Sequence, residues 1–227
     1  MATPLLTIVM PVRNEAAGID AALQALAPLL ARGVQLIVVD GGSSDGTAER
    51  AQAAGAQLIH APRGRALQMN AGARQASGEL LLFLHADTLL PPMADALIKQ
   101  ALAAGPQMWG RFDVSITGKP RLLRVIAACM NARSRWSGIA TGDQAMFMTR
   151  VAFEAVGGFP AQPLMEDVEL SKRLLTLSRP ACLRAPAITS GRRWENRGVW
   201  RTVLLMWRLR LAYWRGVAPQ QLAQRYL

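Results

Sequence analysis

Acids, arginines and a histidine stand where the apolar runs of this sequence stop. Asp40 closes Gln35-Leu36-Ile37-Val38-Val39, Asp87 follows Leu80-Leu81-Leu82-Phe83-Leu84-His85-Ala86, Arg13 and Glu15 follow Leu6-Thr7-Ile8-Val9-Met10, and Arg63 and Arg65 follow Gln57-Leu58-Ile59-His60. A carboxylate fixed at the end of such a run can accept hydrogen bonds from a base N–H or a ribose hydroxyl. The loop Asp40-Gly41-Gly42-Ser43-Ser44-Asp45-Gly46-Thr47 therefore admits a single nucleotide, with glycines for tight turns and Asp45 as the expected cap of the next helix. An ordinary capped turn is the alternative. A dinucleotide fold would carry Gly-x-Gly-x-x-Gly after the first run; none stands there, which disfavours nicotinamide and flavin cofactors. Further on, Glu166-Asp167 opens a helical pattern, where the helix dipole favours acids with or without catalysis.

The elements that must position these residues alternate. Apolar runs at 6–10, 35–39, 57–60 and 80–84 read as strands, each followed by a helical pattern, at 19–31, 47–54, 66–76 and 92–104. Four such units in series predict an α/β fold with a parallel sheet and right-handed crossovers. Strands covered on both faces are apolar throughout, as these are. Ligands of such sheets bind beyond the carboxyl ends of the strands, so the acids and arginines are expected on one rim. After Gly105 the pattern predicts a strand at 108–116, a helix at 120–135 and a strand at 144–149. A helix closing over 153–159 at Gly157-Gly158 follows, then a helix from Glu166, short strands at 181–184 and 187–190, and one long helix at 198–215.

The chain has 227 residues and a net charge of +11. That length suits one compact unit. A charge of this size admits nucleic acid, a membrane surface or an anionic small substrate, with an arginine-rich compositional bias as the plain alternative. No run approaches the ~18 uninterrupted apolar residues of a membrane span. The start, Met1-Ala2-Thr3-Pro4-Leu5-Leu6, lacks a basic leader region and reads as the approach to a first strand, so a cytoplasmic protein is expected. Cys129 and Cys182 lack metal-ligand spacing and are expected as buried thiols in a reducing compartment.

Together, Pro11-Val12-Arg13-Asn14-Glu15, Val38 to Thr47, Asn70-Ala71-Gly72, Gly78-Glu79, Phe83-Leu84-His85-Ala86-Asp87, Gly157-Gly158-Phe159 and Glu166-Asp167 resemble the family 2 glycosyltransferases of GT-A fold, over roughly residues 5–175. The resemblance implies a Rossmann-like, mostly parallel central sheet flanked by helices. It implies a glycosyltransferase domain over 1–190, with a donor half to about 105 and an acceptor half after it, and a helical extension over 191–227 packed on the same domain. It further implies a nucleotide-sugar donor, UDP by default, a hydroxyl acceptor and no nucleic acid. Asp40 would bind the base, Pro11, Arg13 and Glu15 would line the nucleotide pocket, and Gly42 would shape its loop. Asp87 matches the last acid of the family's Asp-x-Asp signature and would ligate Mg²⁺ or Mn²⁺ on the diphosphate. The first acid of that signature is replaced by His85, which is placed at the donor. Arg63 and Arg65 are set against the diphosphate. Asp167 is the implied general base of one inverting displacement, with Glu166 as its neighbouring alternative. Asp143 and Gln144 are placed on the sugar or acceptor side.

Processive members of that family carry Gln-x-x-Arg-Trp and flanking membrane spans; this chain has Gly191-Arg192-Arg193-Trp194-Glu195-Asn196-Arg197-Gly198 instead. A single-transfer enzyme is expected, with Arg192, Arg193 and Trp194 capping the site. In the final helix, Trp200, Val203, Leu204, Trp207, Leu211 and Trp214 share a stripe beside Arg201, Arg208 and Arg215. Burial, as at a homodimer interface, is one expectation for it. Peripheral contact with the inner face of a membrane, beside a lipid-linked acceptor, is the other. Two rivals from other classes are a basic nucleic-acid- or membrane-binding protein on a degenerate version of the fold, and a sugar nucleotidyltransferase. The second would want a Gly-rich, Arg-containing loop after the first strand, which is missing.

Overall fold

Every residue of β1 (Leu6–Val12) is buried, as a strand covered on both faces must be. The computed structural model describes residues 4–226 and places β1 near the middle of an eight-stranded sheet. The expectation about a leader at Met1 lies outside the described residues. β1 pairs in parallel with β2 (Gln35–Asp40), β2 with β3 (Gln57–His60), and the other edge of β1 with β4 (Leu80–Phe83). The remaining strands are β5 (Thr88–Leu89), β6 (Trp109–Thr117), β7 (Phe147–Thr149) and β8 (Ala181–Ser190). The order is β3-β2-β1-β4-β7-β6-β8-β5, with β7 antiparallel to β4 and β6, β5 antiparallel to β8, and β6 parallel to β8.

The helices are α1 (Ile19–Leu30), α2 (Thr47–Ala53), α3 (Arg65–Gln75), α4 (Ala94–Ala103), α5 (Leu122–Ser137), α6 (Arg150–Ala155), α7 (Glu166–Leu174), α8 (Arg192–Arg197), α9 (Val199–Trp214) and α10 (Pro219–Tyr226). Alternate strand residues feed two cores. Ile8, Met10, Val38 and Leu82 pack with Ile19, Leu23 and Leu26 of α1 and Ile98 of α4. Val9, Ile37, Val39, Leu81 and Phe83 pack on the opposite face with Met69 and Ala73 of α3 and Leu170 and Leu174 of α7. The period-two alternation of strand side chains thus divides one apolar run between two helical layers. Gly72 lets α3 approach closely: a Cβ there would stand 2.3 Å from Val9 Cγ1.

The second half departs from expectation in identifiable ways. The two short strands at 181–184 and 187–190 are one strand, β8, whose pairing with β6 slips between Phe112 and Asp113; Pro186, with no N–H to donate, sits at the slip. The strand expected from 144 begins at Phe147, because Gly142–Gln144 form a 3₁₀ turn. The helix before Gly157-Gly158 is α6 and ends at Ala155. Gly198, at φ +82°, separates α8 from α9. Cys129 is exposed and Cys182 half-buried, so neither is the enclosed thiol expected.

Two motif pieces prove to be joints of the scaffold. Asn70 on α3 donates to the Phe159 carbonyl (2.8 Å) and accepts from the Phe159 N–H (2.9 Å), fastening the Gly157-Gly158-Phe159 turn. Asp45 is not the cap of α2; Gly46 holds that position. Its carboxylate accepts the Thr47 N–H (3.1 Å) and the Ala16 N–H (3.0 Å), and Thr47 Oγ1 accepts the Glu15 N–H (2.8 Å). Ser44 N–H donates to Asn14 Oδ1 (3.0 Å) and Asn14 N–H to Ser43 Oγ (3.0 Å). The loops after β1 and β2 are therefore laced into one rim.

Candidate active site

Two adjoining cavities open at the carboxyl ends of β1 and β4. The larger, about 130 Å³, is lined by Pro11, Val12, Arg13, Glu15, Arg65, Gln68, His85, Ala86 and Asp87. The smaller, about 20 Å³, is lined by Arg65, Met69, Phe83, His85, Gly142, Met146, Phe159, Glu166 and Asp167. Arg65 and His85 belong to both, so residues remote in sequence meet across a shared wall.

β4 and its exit explain the position of Asp87. The buried run Leu80–Phe83 anchors the strand, and the Thr88 N–H donating to the His85 carbonyl (3.1 Å) turns the chain so that Asp87 projects at the rim. Thr88 Oγ1 is 3.4 Å from Asp87 Oδ1. Across the cavity, burial and then the charge of Asp87 push the Glu15 carboxyl above its usual range, against the opposing pull of Arg192 and Arg65. Arg192 Nη2 lies 3.6 Å from Glu15 Oε2. Two carboxylates, Glu15 and Asp87, facing one cavity beside the guanidinium groups of Arg13 and Arg65 form a donor set that fits a divalent cation shared with a diphosphate. Among the described residues no group of three or more His, Cys, Asp or Glu side chains makes a closed cage.

The acids of the smaller cavity begin α7, whose first turn follows Met165 at φ +64°. Asp167 Oδ2 accepts the Gly142 N–H (2.9 Å) and its Oδ1 the Val168 N–H (2.7 Å), which fixes the carboxylate in place. Gly142 leaves room for the histidine: a Cβ there would stand 2.5 Å from His85 Cε1, so a larger residue would displace that ring. His85 Nδ1 lies 3.5 Å from Asp143 Oδ1. Against the desolvation of its surroundings, Asp143 is held below the usual carboxylate range by His85, Arg65 and Arg193. Burial, then the charge of Asp167, push the Glu166 carboxyl up to about 7. Burial likewise raises Asp167, with the Gly142 and Val168 N–H groups opposing.

A carboxyl raised from 4.5 to about 7 keeps in the folded chain a proton that the unfolded chain has released, so stability falls as pH rises through that window. The loss is on the order of 3 kcal/mol for the full shift. Thermal unfolding of the unliganded protein between about pH 4.5 and pH 7 is expected to show that decline, and Glu166→Gln is expected to flatten it. A wild-type profile already flat across the window would contradict the assignment.

Several expected residues stand elsewhere. Asp40 lines neither cavity: it is 3% exposed, and its carboxylate accepts the Gly42 and Ser43 N–H groups (3.0 and 3.1 Å) and the Ser43 hydroxyl (2.5 Å). Burial opposes its ionisation, yet those hydrogen bonds hold it below the usual range. Gly42, at φ +82°, makes the turn that brings them about. Arg63 is exposed and outside both cavities, whereas Arg65, at the start of α3, lines both. Gln144 is fully buried, donating to Asn131 Oδ1 (3.3 Å) and accepting the Thr141 N–H (3.2 Å), so it braces the 3₁₀ turn and does not face the site. Trp194 packs with Val114, Ile116 and Leu123, so it is a core anchor for α8 and not a cap over the cavity. Arg193 does lie within the field of Asp143, Arg65 and Asp87.

Sequence reasoning missed Gln68, a lining residue whose amide bridges the carbonyls of Val12 and Val39, both at 2.8 Å, and so clamps the ends of β1 and β2. A glutamine in a helix carries no signal of such a task. It also missed Met69, Met146 and Phe159 as walls, because apolar wall residues look like any core residue.

A model of the family described as glycosyl transferase family 2 matches residues 7–155. A PGL/p-HBAD biosynthesis glycosyltransferase of Mycobacterium bovis (strain BCG / Pasteur 1173P2) is 30% identical over 164 residues, covering 69% of this chain and 59% of the relative. The chain therefore spans less than two thirds of the length of the curated relatives it matches. Among solved structures, the mannosyltransferase PcManGT from Pyrobaculum calidifontis in complex with GDP-Man and Mn²⁺ superposes with TM-score 0.67 at 22% identity, over 93% of this chain and 61% of that one. Glucosyl-3-phosphoglycerate synthase from Mycobacterium tuberculosis, in complex with Mn²⁺, UDP and glucosyl-3-phosphoglycerate, superposes with TM-score 0.61 at 19% identity, over 82% and 71% of the two chains. S. aureus TarS 1-349 with UDP-GlcNAc gives TM-score 0.63 at 16% identity, over 82% and 58%.

Proposed function

Because the chain belongs to glycosyl transferase family 2, we propose that its two cavities are the donor and acceptor sides of an inverting, metal-assisted transfer of a sugar from a nucleoside diphosphate, UDP by preference, to a hydroxyl acceptor. The observation that carries the proposal is that Asp87 and Asp167, eighty residues apart, line adjoining cavities that share Arg65 and His85. The rim made by the laced β1 and β2 loops receives the nucleoside, with Arg13 and Pro11 as walls; Asp40 behind them accepts a base or ribose donor by exchanging it for the Ser43 hydroxyl that its carboxylate holds in the free chain. Arg65 and Arg192 face the diphosphate, where a guanidinium matches two phosphate oxygens at once. A divalent cation bound there would be held by Asp87 with the diphosphate oxygens, and supplies stabilisation of the departing charge.

The acceptor hydroxyl enters the smaller cavity. Asp167 takes its proton as the oxygen attacks the anomeric carbon, the bond from that carbon to the diphosphate oxygen breaks, and the configuration inverts. Asp167 can act without rotating, because its two backbone hydrogen bonds already orient it. Glu166 is the second candidate, favoured by a pKa of about 7, close to neutrality. Incubation with a panel of UDP- and GDP-sugars and Mn²⁺ tests the proposal. One donor should raise the melting temperature and be slowly hydrolysed, releasing sugar of inverted configuration by NMR. Retained configuration would remove the single displacement, and stabilisation by no nucleotide-sugar would favour the binding-protein rival.

A further inference from the structure

We propose that the outer face of α9 lies on an anionic phospholipid surface and so brings the site to an acceptor carried in that membrane; the acceptor half of this statement rests on the transferase function proposed above. The face is an unbroken apolar stripe turned to solvent. Trp200, Leu204, Trp207, Leu211 and Trp214 follow one another at steps of four, three, four and three residues, and are 68%, 55%, 74%, 48% and 83% exposed. In a helix covered by its own chain those values would be near zero, so nothing in the single chain covers this face.

The stripe is not the product of a loose helix. The opposite side of α9 is docked: Leu209 is buried, and Leu205, Met206, Ala212 and Tyr213 pack with Met165 and Leu222. The Tyr213 hydroxyl donates to Glu169 Oε2 (2.9 Å), and Lys172 Nζ lies 4.7 Å from the centre of the Tyr213 ring. Rotation about its own axis is therefore fixed, and it presents three of the chain's six tryptophans outward.

Charge selects the occupant. Arg201, Arg208 and Arg215 are exposed beside the stripe, and residues 196–227 contain no Asp or Glu. A second copy related by a twofold axis would set Arg208 near Arg208 and Arg201 near Arg215, with no acid on the face to compensate. An anionic headgroup layer meets the same arginines with opposite charge, while indole rings settle at the level of the headgroups. The 16-residue helix is not long and apolar enough to cross a bilayer, so it lies in the plane of the surface. Its inner face rests on Met165, which immediately precedes Glu166 and Asp167, so the membrane plane would stand one helix away from the acids of the smaller cavity.

Sedimentation of the full chain with vesicles of phosphatidylcholine alone, and of phosphatidylcholine with phosphatidylglycerol, tests this. Binding is expected to the anionic vesicles and not to the neutral ones. The triple variant Trp200→Ala, Trp207→Ala, Trp214→Ala should lose at least about tenfold in partitioning. Arg201→Gln, Arg208→Gln, Arg215→Gln should lose about a hundredfold, about fivefold per charge. Both replace exposed side chains, and nucleotide-induced stabilisation reports that each still folds. Absence of wild-type binding, or binding undiminished in the tryptophan variant, overturns the proposal. So does a dimer in sedimentation velocity that the tryptophan variant dissolves without any vesicle binding. Vesicle binding by a chain that processes no nucleotide-sugar would leave the surface assignment standing and remove the transferase function instead.

Discussion

Asp167→Asn should lower the rate of sugar transfer by about 10²–10⁴-fold while leaving the nucleotide-induced rise in melting temperature near its wild-type size. The substitution keeps the shape of the side chain and an oxygen able to accept the Gly142 N–H, which in the native chain donates to Asp167 Oδ2 at 2.9 Å. What it removes is the basic site and the negative charge. The proposed donor site is the adjoining cavity lined by Asp87, Glu15 and Arg65, so donor binding should persist. A second consequence follows from the neighbouring acid. The charge of Asp167 helps to raise Glu166, so the variant should bring the Glu166 carboxyl down and shrink the loss of stability with rising pH. Full activity in Asp167→Asn would reassign the base to Glu166.

Asp87→Ala should abolish the metal-dependent part of stabilisation by UDP. At a ligand concentration about a hundred times Kd, binding adds about 2.7 kcal/mol, which for a chain of this size is a rise of about 5–10 °C in Tm. With Mn²⁺ present the wild type should show that rise, with EDTA a smaller one, and the variant the smaller one in both. The loss is large because Asp87 is the carboxylate proposed to hold the cation, and Glu15 is the other acid lining that cavity. Glu15, whose carboxyl is raised partly by Asp87, should then titrate lower. An unchanged metal response in Asp87→Ala would remove that carboxylate as the ligand.

The first half of the chain was legible because two physical rules leave marks in sequence. Strands covered on both faces are apolar runs, and their carboxyl ends carry the polar residues that meet ligands. Leu80 to Asp87 states both in eight letters, and the structure sets Asp87 and His85 in the cavity those rules predict. The second half was less legible because its contacts are made by backbone and by distance. Nothing in Gly142 announces that its N–H holds Asp167 or that its missing Cβ makes room for His85. β5 has two residues, too few for any periodicity, and β8 reads as two strands because a proline sits at its slip. Trp194 stands in the region where processive members of the family carry Gln-x-x-Arg-Trp, yet the apolar cluster around Val114 takes it. For the last helix, sequence supplied the stripe but not its partner: whether such a face turns inward depends on how much core remains to be covered, and here Leu205, Leu209 and Tyr213 already cover it.

The most direct measurement is the anomalous scattering of Mn²⁺ in crystals of this protein grown with UDP. A manganese peak is expected against the Asp87 carboxylate in the larger cavity, with the diphosphate between it and Arg65 and the uracil toward Asp40. Manganese and nucleotide found away from that cavity, or a nucleotide bound there with Asp87 remote from the metal, would contradict it.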